Sequence, residues 1–332
     1  MITEKFTFMD PQNNDIFVYC WKPNHDVSPI GVVQLAHGMA EHAGRYVRVA
    51  EALTAEGYIV YANDHRGHGR TAHSSDDYGF VGYDGFHWLV HNLGQLSEVI
   101  RERHPNLPLI LMGHSMGSFL VQNYMYTYPD QVDAFILSGT GGKQSAVQLF
   151  FGTLLARNQA KRKGENHRSI LLNSLTFGKY NSGFKPTRTE FDWLTRDEEE
   201  VDQYVDDPMT GAVFTASFYR DFFTMLKQLH KRKNMELIPR DKPVYIFAGD
   251  KDPVGFNGKG ILDLVERYKS LGITNLTYKL YPDARHETLN EVNRDEVTKD
   301  LITQLNDMVE KISIVSSNTK SDSESEDSNP DS

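Results

Sequence analysis

A serine between two glycines is the residue best suited to chemistry in this 332-residue chain. It lies in Gly113-His114-Ser115-Met116-Gly117, after the apolar run 107–112 and before a helical stretch that stops at Pro129. The Gly-x-Ser-x-Gly spacing alone is a weak signal. On a tight strand-to-helix turn, however, the serine sits in strained backbone, and the glycines relieve the crowding around it. The helix N-terminus then favours negative charge on the serine oxygen, so we predict that Ser115 is a nucleophile.

A serine hydroxyl needs a base, and the base needs an orienting acid. His286 is the only one of the 13 histidines beyond residue 230, and it follows the predicted strand 276–281. Asp252 comes just past another apolar strand, with Asp250 two residues earlier as the rival acid. Sites in open α/β sheets assemble at the carboxyl ends of the strands. We therefore expect Ser115, Asp252 and His286 to form a catalytic triad there.

Backbone N–H groups that stabilise an oxyanion are expected beside this serine. The N–H of Met116, at the start of the helix, is the first candidate. The second is the N–H of Met39, because the neighbouring Gly38 has no side chain and lets the backbone approach a ligand. We predict that Met39 and Met116 form the oxyanion hole.

Several histidines on two early loops raise the alternative of a metal site: His37, His42, His65 and His68. Neither loop has a His-Glu-x-x-His spacing or a cysteine partner, so we interpret these residues as groups that structure the loops. A dinucleotide site is not expected either, because no Gly-x-Gly-x-x-Gly follows an early strand. We predict neither a metal nor a cofactor.

Hydrophobic periodicity indicates the elements that must position these groups. The first 22 residues alternate around a turn at Pro11-Gln12-Asn13-Asn14, which predicts a hairpin. Amphipathic helical stretches separate the segments that follow. Continuous apolar runs, typical of strands buried on both faces of a parallel sheet, occur at 30–36, 58–62, 107–112, 134–137 and 244–248. The predicted fold class is α/β, with right-handed crossovers.

About 100 residues ahead of Pro243 contain helical stretches but no convincing buried strand. We interpret residues 143–235 as a helical cap inserted into a core of residues 1–142 and 236–315. The last 17 residues, 316–332, contain seven serines, five acids and one lysine, without any aliphatic or aromatic side chain. They cannot bury apolar surface to offset the entropy of ordering, so we predict a disordered acidic tail.

Composition narrows the classes of protein further. The formal net charge of −10 argues against a general nucleic-acid binder, which needs a basic face. The chain has no run of about 18 apolar residues that would span a membrane, and its N-terminus does not resemble a signal peptide. With a single cysteine, Cys20, a cytoplasmic location is expected.

Six motifs spread over nearly the whole chain except the tail: LAHGMAEH at 35–42, RY at 45–46, DHRGHG at 64–69, GHSMG at 113–117, GDKDPV at 249–254 and ARHETLNE at 284–291. Together they resemble the lysophospholipase and monoacylglycerol lipase group of the α/β-hydrolases. The resemblance implies the α/β-hydrolase fold, with a mostly parallel eight-stranded sheet flanked by helices and an inserted helical cap. It also implies a serine esterase without a cofactor, with Ser115, Asp252 and His286 as the triad and Met39 and Met116 as the oxyanion donors.

The predicted cap carries the information on substrate. From Lys143 to Lys185 it has eight basic residues and one acid, Glu165. The apolar stretch 147–156 lies just before most of these basic residues. Such a segment suits contact with anionic head groups, or else it is a helix packed on the core with solvated lysines. Under either interpretation we expect an apolar wall for a single acyl chain, formed by Phe150, Phe151 and Leu154.

The predicted function is a serine carboxylic-ester hydrolase that acts on single-chain lipid esters, lysophospholipid or monoacylglycerol, through an acyl-enzyme. If the apolar and basic segment of the cap contacts anionic head groups, the enzyme is peripheral at the membrane surface. Three alternatives stay open: an aminopeptidase-type hydrolase, a small-ester hydrolase, and a ligand receptor on a hydrolase scaffold. An aminopeptidase needs acids near the site, and Glu198 to Glu200 are candidates, although we interpret 197–202 as a solvated helix start.

Overall fold

A computed structural model describes the backbone of residues 1–326 and the side chains of residues 1–314. The strands in this part of the chain are β1 Ile2–Met9, β2 Asp15–Lys22, β3 Gly31–Ala36, β4 Tyr58–Asn63, β5 Leu109–His114, β6 Ala134–Ser138, β7 Val244–Gly249 and β8 Leu276–Tyr281. The α-helices are α1 Val47–Ala55, α2 Gly85–Arg103, α3 Met116–Thr127, α4 Ala146–Lys163, α5 Ile170–Phe177, α6 Glu198–Asp206, α7 Ala216–Leu229, α8 Arg232–Met235, α9 Lys259–Ser270 and α10 Arg294–Glu326.

All eight strands form one sheet, in the order β1-β2-β4-β3-β5-β6-β7-β8. The predicted hairpin is confirmed, because β1 pairs antiparallel with β2 from Ile2 opposite Lys22 to Met9 opposite Asp15. Strand β2 is also antiparallel to β4, and every neighbouring pair from β4 to β8 is parallel. The predicted mostly parallel eight-stranded sheet is therefore confirmed, and the loops after β3, β5, β7 and β8 leave from the same edge.

Strands β3 to β7 are buried along their whole length because helices cover both faces of the sheet. One face packs against α2, α3 and α9 through side chains such as Leu93, Leu120 and Leu264. The other packs against α1 and α10 through side chains such as Leu53 and Leu301. This two-sided burial explains why these strands appear in the sequence as apolar runs without alternation.

The segment between β6 and β7, residues 139–243, is the insert, and it contains α4 to α8. Within it α4 packs against α7. Leu149 and Ala156 of α4 and Phe218 of α7 belong to the same hydrophobic cluster as α2 and α3. The helices predicted for this region are present, whereas the division of the chain into a core and a separate cap stays a prediction.

Helix α10 extends beyond the boundary that the sequence suggests. Disorder is predicted from Ser316 onward, but α10 continues to Glu326. A helix continues through backbone hydrogen bonds four residues apart, and residues 316–326 contain no proline or glycine to interrupt them. The backbone of residues 316–326 is thus helical, whereas the disordered tail as a whole stays a prediction, and residues 327–332 lie outside the described residues.

Among the helices that the structure describes, none has the length and apolarity needed to cross a lipid bilayer. The cytoplasmic location expected from the sequence stays a prediction.

Candidate active site

Ser115 lies at the turn between β5 and α3, in backbone that few residues adopt. Its φ of 51° and ψ of −120° lie outside the regions favoured by residues with a side chain. The turn brings α3 so close to β3 that a Cβ at Gly117 would overlap the carbonyl oxygen of Ala36. Only glycine therefore permits this close approach of helix and strand. The result is a serine held in strained backbone at the carboxyl edge of the sheet, as expected of a nucleophile.

His286 is paired with Asp252 across two neighbouring loops. His286 lies in the histidine loop, residues 282–291, which follows β8, and Asp252 follows β7. Nδ1 of His286 is 3.0 Å from Oδ2 of Asp252, and both side chains are buried. Burial lowers the pKa of His286, but the charge and hydrogen bond of Asp252 outweigh this effect and raise the pKa above its ordinary value. With Nδ1 occupied, Nε2 is the nitrogen available as a base.

Asp250, the rival acid, has different surroundings. Its Oδ1 accepts a hydrogen bond from the Asp283 N–H at 2.7 Å, and its Oδ2 lies 3.2 Å from Nζ of Lys251 near the surface. Asp250 thus bonds a nearby backbone N–H and lies beside a neighbouring lysine. The geometry favours Asp252 as the acid that orients His286.

Ser115 and His286 line one cavity of about 290 Å³. Met39 lines the same cavity from the oxyanion loop, residues 37–42, which follows β3, and Met116 is the first residue of α3. A Cβ at Gly38 would lie 3.2 Å from Cβ of Ser115, so a glycine lets the oxyanion loop pass this close to the serine. The two backbone segments that carry the predicted oxyanion donors thus both adjoin Ser115.

A buried ion-pair network joins the oxyanion loop to the histidine loop. Nη1 of Arg45 lies 2.7 Å from Glu41 and 2.7 Å from Glu287, and its Nη2 lies 2.8 Å from Glu287. Glu41 also accepts hydrogen bonds from the Gly38 N–H at 2.5 Å and the Tyr46 hydroxyl at 2.8 Å. Burial would raise the pKa of Glu287, but the Arg45 charge prevails and lowers it to about 2. Glu287 is therefore ionised beside Arg45, which it shares with Glu41.

This network was not found from the sequence. Glu41 and Arg45 stand four residues apart, the spacing of an ion pair on a helical turn, and this was the available signal. Glu287, in contrast, is 242 residues away from Arg45. Only the order of the strands in the sheet brings these residues together.

Comparison with known proteins bears on this geometry. The profile of the family described as serine aminopeptidase, S33 (Hydrolase_4) matches residues 27–293. The chain is 33% identical over 297 residues to the monoacylglycerol lipase of Mycolicibacterium smegmatis, which covers 86% of this chain and 92% of that protein. It is 27% identical to the monoglyceride lipase of Homo sapiens, over 87% of this chain and 86% of that protein.

The chain belongs to the Hydrolase_4 family of α/β-hydrolases. It is a serine hydrolase, so the predicted enzyme class and the resemblance to the monoacylglycerol lipase group are confirmed. The fold agrees with this. A thermostable carboxyl esterase from Bacillus coagulans, solved in complex with glycerol, superposes with a TM-score of 0.86 at 26% identity, over 93% of this chain and 99% of that one.

Three early histidines structure the loops of this hydrolase. Nε2 of His37 accepts a hydrogen bond from the His65 N–H at 3.0 Å, and Nδ1 of His37 lies 2.7 Å from the Gly38 carbonyl oxygen. Burial lowers the pKa of His65 to about 3 and that of His68 to about 4, so both rings are neutral at pH 7. They connect the oxyanion loop to the loop after β4, as the structural interpretation of these residues expects.

The structure does not bring the acyl-binding wall predicted on α4 to the cavity. Helix α4 turns Leu149, Thr153, Ala156 and Ala160 inward, so its opposite side faces outward. None of the three assigned residues lines the cavity, and they are 58%, 62% and 54% exposed: Phe150, Phe151 and Leu154. Since both sides of α4 carry apolar residues, periodicity did not show which side is buried.

The acids Glu198 to Glu200 do not face the cavity either. They form the first turn of α6, where Asp197 accepts hydrogen bonds from backbone N–H groups at the N-cap. Glu198 and Glu199 are exposed, as expected of a solvated helix start, whereas Glu200 is buried beside Arg48. Glu190, which the sequence analysis did not single out, does line the cavity. It has no hydrogen bond or ion pair to any residue that the structure describes.

Proposed function

We propose that this hydrolase cleaves monoacylglycerols to a fatty acid and glycerol through an acyl-enzyme on Ser115. The observation that carries the proposal is the shared cavity, which is lined by Ser115 and by His286, the partner of Asp252. The names of the M. smegmatis and human relatives, a monoacylglycerol lipase and a monoglyceride lipase, support the substrate class.

In the proposed reaction, Oγ of Ser115 attacks the ester carbonyl carbon while Nε2 of His286 takes the hydroxyl proton. The oxyanion that forms accepts hydrogen bonds from the N–H groups of Met39 and Met116. The intermediate then collapses, the C–O bond to glycerol breaks, and His286 returns the proton to the leaving oxygen. A water molecule, deprotonated by the same imidazole, then attacks the acyl carbonyl carbon. The C–O bond to Ser115 breaks, His286 returns the proton to Oγ, and the fatty acid leaves. Asp252 keeps the imidazole in the required tautomer throughout.

The charge of the cavity favours an uncharged head group over a lysophospholipid. Among the described residues that line the cavity, three carry carboxyl groups, Glu41, Glu190 and Glu287, and none is a lysine or an arginine. The nearby Arg45 is already engaged by Glu41 and Glu287. The phosphate of a lysophospholipid would face these carboxyl groups without a free cationic side chain of the protein beside it, which is unfavourable at low dielectric. Glycerol hydroxyl groups carry no such penalty.

Helix α5 connects the cavity to an exposed apolar surface. One side of α5 lines the cavity with Asn173, Ser174 and Phe177. Leu172 of α5 is buried in the core, whereas other apolar side chains of α5 and of α4 face outward. We call these the apolar patch, and its residues are between 50% and 74% exposed: Val147, Phe150, Phe151, Leu154, Ile170, Leu171 and Leu175. A monomeric protein rarely exposes so many large apolar side chains together.

Basic residues border the apolar patch. Lys161, Arg162 and Lys163 end α4 and are exposed, and Nζ of Lys227 lies 5.8 Å from the centre of the Phe150 ring. Apolar side chains with a basic border suit peripheral contact with an anionic membrane. We infer that this patch rests on the membrane that supplies the substrate, so that a single-chain lipid reaches the cavity along α5.

Hydrolysis of a matched panel tests the proposal: 1-monooleoylglycerol, oleoyl-lysophosphatidylcholine and p-nitrophenyl butyrate. We expect the highest kcat/KM for the monoacylglycerol and, in Ser115→Ala, a loss on the order of 10⁶-fold for every ester. A purified, folded Ser115→Ala enzyme that retained more than about one part in a hundred of the rate would contradict the nucleophile. Faster cleavage of the lysophospholipid would contradict the head group.

The unpaired Glu190 carboxylate supports a second candidate, an aminopeptidase, because it is able to bind a substrate ammonium group. The description of the matching family points the same way. Leucine p-nitroanilide added to the panel separates the two candidates. A kcat/KM for this amide above that for the monoacylglycerol, lost in Glu190→Gln, would replace the lipase proposal.

A further inference from the structure

A five-residue segment of the insert lies along the histidine loop. This segment, residues 192–196, is the clamp. The Glu287 N–H donates a hydrogen bond to the Leu194 carbonyl oxygen at 2.7 Å, and the His286 N–H donates one to the Trp193 carbonyl oxygen at 3.4 Å. The catalytic base and its neighbour are therefore bonded through their backbone to a part of the chain that lies outside the sheet.

A single buried carboxylate joins the two segments a second time. Glu291 is fully buried, and its Oε1 accepts hydrogen bonds from the Arg285 N–H at 2.8 Å and the Arg196 N–H at 3.2 Å. Its Oε2 lies 2.9 Å from Nε of Arg196. The carboxylate of Glu291 thus holds the backbone at Arg285, just before His286, and also holds Arg196, the last residue of the clamp.

The clamp also contacts the imidazole itself. The Trp193 ring lies 5.0 Å from the His286 ring between centroids, and the His114 ring lies 4.8 Å from it. The Asp252 hydrogen bond alone leaves the ring free to tilt about that contact, so packing and loop position must fix its direction toward Ser115. The clamp supplies part of these restraints, through the Trp193 ring and its backbone hydrogen bonds to His286 and Glu287.

We propose that Arg196 and Glu291 are positioning residues that set the distance between Nε2 of His286 and Ser115. This inference rests on the role proposed above for His286 as the base. Neither residue lines the cavity, so neither contacts substrate. Their pair acts through the backbone at Arg285 and through the clamp, and a misplacement of the base by about 1 Å lowers turnover by about 10²-fold.

The experiment compares Glu291→Gln and Arg196→Met with Arg294→Met. Arg294 forms a neighbouring ion pair between the insert and α10, with Asp197, and its side chain is 33% exposed against 29% for Arg196. Its side chain makes no contact within the histidine loop among the described residues. Arg294→Met therefore removes an ion pair of similar exposure without disturbing the position of His286.

Kinetics on p-nitrophenyl butyrate, which is soluble, report the effect independently of head group and membrane. We expect Glu291→Gln and Arg196→Met to lower kcat by about 10- to 100-fold at nearly constant KM. Arg294→Met should stay within about 2-fold of wild type, and Arg196→Lys, which keeps the cation, should recover part of the loss. Because a displaced His286 loses part of the Asp252 interaction that raises its pKa, the acidic limb of kcat/KM should move to lower pH in the two variants.

Thermal denaturation checks folding in each variant. If Glu291→Gln does not fold, Arg196→Met decides, because its side chain is partly exposed. Wild-type kcat in folded Arg196→Met, or an equal loss in Arg294→Met, would overturn the inference. A His286→Ala enzyme that kept wild-type activity would instead overturn the proposed base. An inactive His286→Ala beside a wild-type Arg196→Met would reject the positioning role alone.

Discussion

Two regions of the insert are attached to the rest of the protein in different ways. The first region, α4 and α5, is attached by hydrophobic burial, through side chains such as Leu149 and Leu172, and it exposes the apolar patch on its outer side. The second region, the clamp and α6, buries Trp193 and Leu194 but is also attached by hydrogen bonds and ion pairs, among them Arg196–Glu291 and Arg294–Asp197. The first adjoins the surface, and the second adjoins the catalytic base.

This difference matches the role of each region. Hydrophobic contact has no preferred direction, so a helix held in this way tolerates small shifts and suits a surface that meets lipid. Hydrogen bonds and buried ion pairs depend on distance and angle, so they suit a loop that must hold a base in place. Substitutions in the two regions should therefore lower different quantities, membrane binding in the first and turnover in the second. The effects expected below decrease from the largest to the smallest.

The largest effect beyond the nucleophile is expected at the acid of the triad. Asp252→Asn removes the carboxylate that orients His286, and we expect kcat to fall by about 10⁴-fold on any ester. Asp250→Asn is the matched control, because it removes an acid of the same loop that bonds only local groups. Steady-state kinetics on p-nitrophenyl butyrate decide, and equal losses in both variants would return the role to Asp250.

A smaller loss is expected when the link between the oxyanion loop and the histidine loop is cut. Arg45→Met leaves Glu41 and Glu287 as buried carboxylates without a cation, so the free energy of unfolding should fall by about 3–5 kcal/mol and kcat by about 10²-fold. Arg267→Met breaks the exposed pair with Asp263 and should cost about 0–1 kcal/mol. Urea denaturation measures both variants. Equal stability losses would show that the buried network has no special role.

In the first region of the insert, on α4, Phe151→Asp should weaken binding to membranes and leave the rate of ester hydrolysis unchanged. Removing one phenylalanine from a lipid contact is worth about 1.5–3 kcal/mol, so we expect the affinity for anionic liposomes to fall about 10-fold or more. The rate on p-nitrophenyl butyrate should not change, because Phe151 does not line the cavity.

Leu262→Asp, at an exposed apolar position on α9, is the control for Phe151→Asp and should bind liposomes like the wild type. Vesicle co-sedimentation with and without added salt measures both. A Phe151→Asp enzyme with wild-type binding would reject the membrane contact. A Phe151→Asp enzyme that is slow on p-nitrophenyl butyrate would contradict the difference between the two regions of the insert.

The smallest effect concerns pH. The base must be neutral to accept the Ser115 proton, so activity rises with pH as His286 loses its own proton. Because Asp252 raises the pKa of His286, the acidic limb of the kcat/KM profile should have its midpoint above the ordinary value of 6.5. A midpoint at or below 6.5 would show that the His286–Asp252 pair is weaker than its geometry suggests.

Much of the fold could be predicted because its signals are local. The strands β3 to β7 are buried on both faces, so each is an unbroken apolar run that needs no knowledge of its neighbours. The turn around Ser115 is also a local signal, because β5, the turn and α3 follow one another directly in the chain. Asp252 follows such a strand, His286 follows the more exposed strand β8, and the loops that carry Ser115, Asp252 and His286 leave from the same edge of the sheet.

The sequence by itself therefore determined the α/β fold, the order of the candidate triad and the helical character of the insert. Only the tertiary structure decided which side of α4 faces outward, because apolar residues occupy both sides of that helix. Only the tertiary structure paired Arg45 with Glu287 and the clamp with the histidine loop. Partners 242 residues apart, or 95 for Arg196 and Glu291, leave no periodic signal along the chain, and their contact depends on which strands and loops the sheet places side by side.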